Sequence, residues 1–258
     1  MNKPLEPLNI VFLHGWGVNS AVWNDIAANI DVPYRVHLLD IPGFGSLSHM
    51  PNSGDLTELA QTFLETIPNQ SICIAWSLGG MIALQAALLE HDHDLKKIAA
   101  LQLICTSAKF ISDTDWEHGV ALQTFSEFSD GLASNYQKVV KKFLLLQLGA
   151  SPKARPIVKH VVQAINQHPE PSADSLQQGL KCLKDSDLRK QVMPLDIPAQ
   201  VISGKFDVIA HPLASQALAK QLNVELLELE TGHAPFLTEP VMYINTLMQF
   251  IAQVKAQV

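Results

Sequence analysis

Short apolar runs that end in glycine-rich turns and alternate with helix-length patterns constrain this chain more than any other feature. Asn9–Leu13 (NIVFL) runs into His14-Gly15-Trp16-Gly17. Tyr34–Leu39 runs into Asp40-Ile41-Pro42-Gly43-Phe44-Gly45, and Ser71–Ala75 into Trp76-Ser77-Leu78-Gly79-Gly80. Ile98–Cys105 reads as a fourth strand. Between these runs, helices are expected from a cap at Ser20 through about Ile30, over Asp55–Ile67 and over Leu78–Glu90. Strands alternating with helices in this way build right-handed βαβ units and a parallel sheet. Such sheets bind ligands at the C-terminal ends of their strands, where His14, Ser77 and Thr106 would lie.

The alternation stops from about Ser107 to Val192. Only helical patterns are read there, over Trp116–Phe128, Tyr136–Leu148, Ala154–Asn166 and Asp174–Lys184. It resumes with a strand at Ala199–Ser203, a helix near Leu213–Gln221, a strand at Val224–Leu229 and a last helix near Val241–Val254. The expected fold is α/β, with a mostly parallel central sheet flanked by helices and an inserted helical cap. Residues 1–106 and 193–258 would form the core domain, and 107–192 the cap over the strand ends. A length of 258 residues suits one such domain.

Composition excludes several classes. The chain is 47% hydrophobic and 17% charged, ample for a core and too sparsely charged for disorder. Its net charge of −7 argues against a protein built as a whole to bind nucleic acid. The three cysteines, Cys73, Cys105 and Cys182, have no regular spacing and read as free thiols. No apolar run reaches the ~18 residues of a membrane span, and Met1–Leu8 lacks the pattern of a secretory leader. A cytoplasmic protein is expected, and a monomer. The histidines show no metal-ligand spacing, and the His91-Asp92-His93-Asp94 cluster reads as solvated surface. No metal and no cofactor is expected.

Ser77 sits in a strand–turn–helix context, that of a nucleophile elbow. The turn asks for small residues around the serine. Gly79 meets this demand, while Ala75 stands where the G-x-S-x-G pattern has glycine, so some strain is expected there. A serine between small residues also suits an ordinary tight turn, so the reading depends on partners. A serine nucleophile needs a base, and the base an orienting acid, in the chain order Ser, Asp or Glu, His. Asp207 follows the strand at 199–203, and His233 follows the strand at 224–229. Each alone fits a structural loop residue, but the three together occur in order, each past its own strand. Asp187 and Asp196 are rivals for the acid and lie before the strand. An oxyanion hole needs two donors. The backbone N–H of Leu78 is one candidate and that of Trp16 the second, with His14 bracing their loop and Trp16 walling the pocket.

The cap has its own charge. Between Gly131 and Pro169 there are six basic residues and no acidic ones: Lys138, Lys141, Lys142, Lys153, Arg155 and Lys159. That stretch carries +6 and leaves −13 on the rest. Lys138 and Lys142 share a helix face at a spacing of four, as do Arg155 and Lys159. These are either solvated faces or a docking surface for an acidic partner. Phe143, Leu144, Leu145, Leu146 and Leu148 interleave with them, as ordinary packing or as the apolar underside of a lid.

Together these residues resemble the α/β-hydrolase superfamily along nearly the whole chain. More narrowly they resemble the BioH family of pimeloyl-acyl-carrier-protein methyl ester carboxylesterases. The resemblance rests on HGWG at 14–17, DIPGFG at 40–45, WSLGG at 76–80, KFLLLQ at 142–147, GL-K-L-DLR across 179–189 and GHAPF at 232–236. It implies a catalytic set of Ser77, Asp207 and His233. It also implies substrate contacts at Trp16, Ser77, Leu78, Phe143, Leu144, Leu145, Leu146, Gln147 and His233, and hydrolysis of a carrier-bound methyl ester in biotin synthesis. Acyl-carrier protein is then the expected partner, docking at Lys138, Lys142, Arg155 and Lys159. Only about eight residues precede the first strand, so one or two leading edge strands usual in the superfamily are expected to be absent. Rival readings are a broad short-chain carboxylesterase, a haloperoxidase-like or C–C hydrolase, and a degenerate hydrolase that only binds carrier protein or ligand.

Overall fold

The structure is a computed structural model describing residues 8–30, 33–93, 96–126, 136–148 and 154–257. Among them, six strands form one parallel sheet: β1 (Asn9–Leu13), β2 (Arg35–Leu39), β3 (Ser71–Trp76), β4 (Ile98–Ile104), β5 (Ala199–Gly204) and β6 (Glu225–Leu229). Their spatial order is β2-β1-β3-β4-β5-β6. The chain leaves β1 toward one edge and returns on its other side as β3. The ends of β1 and β3 therefore flank the point where the winding reverses, the place a parallel sheet offers for a ligand. No described strand precedes β1, and β2 forms that edge.

Alternation along each strand sorts the core into two layers. Val11, Leu13, Cys73, Ala75, Leu101 and Leu103 face α2 (Leu56–Thr66), α3 (Leu78–His93) and, further along the sheet, α7 (Pro212–Leu222). Ile10, Phe12, Ile72, Ile74, Trp76 and Ile104 face the 3-10 turn Ser20–Trp23, short α1 (Asn24–Ala27) and α9 (Pro240–Gln257). β3 is buried at every residue, as a strand covered on both faces must be. One polar line crosses the second layer. Gln102 and Gln200, register partners on β4 and β5, are joined side chain to side chain at 2.9 Å, and the Tyr243 hydroxyl donates to Gln102 Oε1 at 3.0 Å. Buried amides are tolerated because they find partners.

Between β4 and β5 the described residues hold α4 (Tyr136–Gln147), α5 (Ala154–Ile165) and α6 (Ala173–Asp185), with a short helical segment at 122–126. The helices do not form a separate core. Val140, Leu144, Leu148, Val158, Val161 and Ile165 join the second layer, and Leu176, Leu180 and Leu183 join the first. Polar ties add to this: Asn19 Nδ2 donates to the Ile165 carbonyl at 2.9 Å, and Trp16 Nε1 to the Leu176 carbonyl at 2.9 Å.

Two expectations need correction. The helix read from Trp116 does not begin there, and residues 127–128 lie outside the described set. Trp116 closes a turn with Asp113, exchanging backbone hydrogen bonds of 2.8 and 3.0 Å. Its indole donates to the Lys109 carbonyl at 3.0 Å, and the Arg189 guanidinium lies 5.4 Å from its ring centroid. These contacts hold a loop, and they imitate a helical period. The cap of the first helical segment is Asn19, whose side chain accepts from the Ala21 N–H, and not Ser20, which lies inside the 3-10 turn.

Candidate active site

β3 ends at Trp76, and Ser77 takes a left-handed backbone, φ 56°. A residue with a Cβ rarely adopts this conformation, and here it turns the chain sharply into α3. The Ser77 N–H reaches back to the Ile104 carbonyl at 3.0 Å, while its own carbonyl accepts from Thr106 Oγ1 at 2.8 Å and from the Met81 N–H at 3.1 Å. The turn is thus gripped from β4 and from its own helix. Its crowding has a source beyond the turn itself. A Cβ on Gly79 would strike the carbonyl oxygens of His14 and Leu13 at the end of β1, and its three nearest atoms all belong to those two residues, none to Ala75. The turn must be small at 79 because a neighbouring strand end abuts it. Gly79→Ala is accordingly expected to lower stability by about 1–3 kcal/mol, measured by urea unfolding. An unchanged midpoint would contradict this close approach.

The three separated residues converge. The Ser77 hydroxyl donates to His233 Nε2 at 2.9 Å, and His233 Nδ1–H donates to Asp207 Oδ2 at 2.7 Å. All three are buried, with His233 at 0% exposure. Asp207 Oδ1 accepts the N–H groups of Ile209 and Ala210 at 2.8 and 3.0 Å, which fixes the carboxylate's rotation. His233 is held through its backbone: its N–H donates to the Gln147 carbonyl at 2.8 Å, and its carbonyl accepts from Trp76 Nε1 at 2.8 Å. The end of α4 thereby positions the base, a role no sequence signal announced. The rival acids are engaged elsewhere. Asp187 pairs with Arg189 at 2.7 Å, which holds its carboxyl down to about 2, and Asp196 lies 3.3 Å from His91.

His14 fixes the loop beside the serine. A carbonyl only accepts, so His14 Nδ1–H donates to the Gly15 carbonyl at 2.7 Å, which leaves Nε2 to accept the Ile41 N–H at 3.0 Å. The bond accepted at Nε2 requires the neutral ring, and burial lowers the ring's pKa in the same sense. Because a trans peptide sets its C=O and N–H on opposite sides, holding the Gly15 carbonyl also fixes the direction of the Trp16 N–H. Leu78 N–H lies in the first turn of α3, where backbone donors have no partner within the helix.

Other expected contacts separate. The Trp16 ring is buried, edge-on to Phe143 at 5.3 Å, and so close to Gly179 of α6 that a Cβ there would approach its Cδ1 to 2.7 Å. Leu144 and Gln147 are buried, Leu145 is partly buried, and Leu146 is 51% exposed on the outer side of α4. The Gln147 Oε1 is buried without a hydrogen-bond partner, an acceptor available to a bound molecule. Lys138, Lys142, Arg155 and Lys159 are all exposed. Arg155 and Lys159 rim a groove between α4 and α5 together with Lys141, over Leu145, Val158 and Val162. Lys153 lies outside the described residues. Cys105, Asp207 and His233 are the group of metal-ligating types that meets among the described residues, but His233 Nδ1 and Asp207 Oδ2 are already closed on one another.

A family model described as the alpha/beta hydrolase family matches residues 10–245. The pimeloyl-[acyl-carrier protein] methyl ester esterase of Vibrio vulnificus is 34% identical over 244 residues, covering 94% of this chain and 93% of the relative. The enzyme of that name from Vibrio cholerae is 32% identical over 248 residues, covering 94% and 93%. Among solved structures, the esterase EaEST from Exiguobacterium antarcticum matches with a TM-score of 0.84 at 20% identity, covering 97% of this chain and 92% of that one. A bromoperoxidase from Bacillus anthracis matches at 0.82 and 16%, covering 95% and 92%. At such identities the solved structures establish the shared fold alone.

Proposed function

We propose that this chain, which belongs to the α/β-hydrolase family and within it to the pimeloyl-[acyl-carrier protein] methyl ester esterases, hydrolyses the methyl ester of pimeloyl-acyl-carrier protein. The products are methanol and the free pimeloyl-acyl-carrier protein used in biotin synthesis. The observation that carries the chemistry is the continuous chain of hydrogen bonds from Ser77 through His233 to Asp207. His233 Nε2 takes the Ser77 proton as Oγ attacks the ester carbonyl. The N–H groups of Trp16 and Leu78 receive the negative charge that develops on the carbonyl oxygen. Collapse of the tetrahedral intermediate breaks the bond to the methoxy group, which leaves as methanol with the proton from His233. Water, deprotonated by His233, then attacks the acyl-Ser77 ester. Breaking that bond releases the carboxylic acid and returns the proton to Ser77.

Trp16 and, from the cap, Phe143 and Gln147 would contact the acyl chain, in keeping with the edge-on contact of Trp16 with Phe143 and the unpartnered Gln147 Oε1. The basic face of α4 and α5 suits an acidic carrier protein. Lys138, Lys142, Arg155 and Lys159 would steer it electrostatically, joined by Lys141 at the groove. The enzyme would work as a monomer, with the cap formed by residues 107–192. Reversing Lys138, Lys142, Arg155 and Lys159 to Glu is expected to lower kcat/KM for the carrier-bound ester by about 100-fold at low salt. Turnover of p-nitrophenyl acetate should stay within about twofold, because Ser77 and its partners are untouched. Equal losses on both substrates would favour a broad short-chain carboxylesterase for which the carrier is incidental.

A further inference from the structure

Gly179 stands at the middle of α6 in ordinary helical backbone. Its conformation does not call for glycine, and glycine inside a helix is less favourable than alanine. The reason for a missing side chain lies in what touches it. A Cβ at 179 would fall 2.7 Å from Trp16 Cδ1 and 3.1 Å from Trp16 Nε1, with Phe44 Cζ at an ordinary 3.5 Å. The indole therefore lies directly on the backbone of α6. It is also bonded there, because Trp16 Nε1 donates to the Leu176 carbonyl, three residues earlier on the same helix, at 2.9 Å.

If a side chain were added at 179, either the helix or the ring would have to yield. The helix is seated on core loops at two further close approaches. A Cβ on Gly43 would fall 2.7 Å from the Ser175 Cβ, and one on Gly54 would fall 3.0 Å from the Gln178 carbonyl oxygen. Leu176, Leu180 and Leu183 are buried in the first core layer. With α6 held along this face, the ring is the part that moves. That ring stands beside the nucleophile. A Cβ on Gly15 would come within 3.1 Å of the Ser77 Cβ, so the loop that carries Trp16 lies against the serine. On α4, Phe143 meets the indole edge-on at 5.3 Å.

We propose that Gly179 is a positioning residue that sets acyl-chain selectivity: the absence of its Cβ lets the Trp16 indole rest against α6 and so keeps the ring out of the space an acyl chain takes beside Ser77. This rests on the reading above of Ser77 as nucleophile and Trp16 as an acyl contact, and is independent of the carrier protein. In a packed interior a displaced ring moves into whatever room is open. Beside Ser77 that room is the acyl site, so a longer chain loses more than a short one.

The test compares p-nitrophenyl acetate with p-nitrophenyl hexanoate. In Gly179→Ala the ratio of kcat/KM for hexanoate to that for acetate is expected to fall by about tenfold. The loss should lie in a raised KM for hexanoate more than in kcat, as for a binding contact. In a Trp16→Ala background the same substitution should change the ratio by less than about twofold, because no indole is left to displace. A spectroscopic signature needs no change at 16. The four tryptophans give four indole N–H signals by NMR, and Trp16→Phe identifies the one from Trp16. That signal should shift in Gly179→Ala while the other three stay. A ratio within about twofold of wild type, an unmoved Trp16 signal, or an equal fall in the Trp16→Ala background would each overturn the proposal, whatever the variant's stability. Ser77→Ala that still cleaved both esters would overturn the triad instead. A wild-type enzyme inactive on the carrier-bound methyl ester, with the hexanoate effect present, would overturn the substrate reading and leave the role of Gly179 standing.

Discussion

Ser77→Ala is expected to lower kcat by at least about 10,000-fold while leaving the fold intact. The hydroxyl's hydrogen bond in the resting site is to His233 Nε2, so its removal disturbs little packing. Alanine meets the left-handed backbone at 77 with a Cβ like that of serine. What is lost is the atom that must bond to the ester carbon. Thermal unfolding should shift by no more than a few degrees, and a fluorophosphonate that labels the wild type stoichiometrically should leave the variant unlabelled. Retention of more than about 1% of kcat would assign the nucleophile elsewhere.

Asp207→Asn is expected to cost about 10,000-fold in kcat for a different reason. Oδ1 faces two backbone N–H groups, from Ile209 and Ala210. The asparagine carbonyl must therefore take that side, because an NH2 there would oppose two donors. The amide NH2 is then left facing His233 Nδ1. It donates where the carboxylate accepted, so the ring proton moves to Nε2, the atom that should receive the Ser77 proton. The variant should stay folded, with substrate binding near wild type and fluorophosphonate labelling slowed by a factor similar to kcat. An Asn variant with more than about a tenth of wild-type kcat would show that Asp207 does not orient the base.

Much of this site was legible because local rules and distant partners agreed. β1, β3 and β4 were readable as apolar runs because a sheet covered on both faces buries nearly every residue, and the turns after β1 and β3 are glycine-rich where chain segments meet closely. The order Ser77, Asp207, His233 carried the triad because each follows its own strand, and a parallel sheet gathers those ends along one edge. The misread elements fail where contacts are made across the chain. Trp116 mimicked a helix start, yet its partners are Lys109 and Arg189. Gly79 answers to the end of β1, more than sixty residues earlier, which the local pattern of the serine turn does not show. The hydrogen bond from His233 to the Gln147 carbonyl and the Cys105 thiol beside Asp207 join segments whose proximity no spacing encodes. The pairing of Lys138 with Lys142 followed helical spacing, but packing of α4 on α5 brings Lys141 to Arg155 and Lys159.

The most direct measurement offers the purified enzyme an acyl-carrier protein loaded with the pimeloyl methyl ester and follows the intact mass of the carrier together with released methanol. The account predicts stoichiometric loss of one methylene equivalent of mass with matching methanol, the pimeloyl group staying on the carrier, and no conversion by Ser77→Ala. A carrier-bound methyl ester left intact by wild-type enzyme that still cleaves p-nitrophenyl acetate would contradict it.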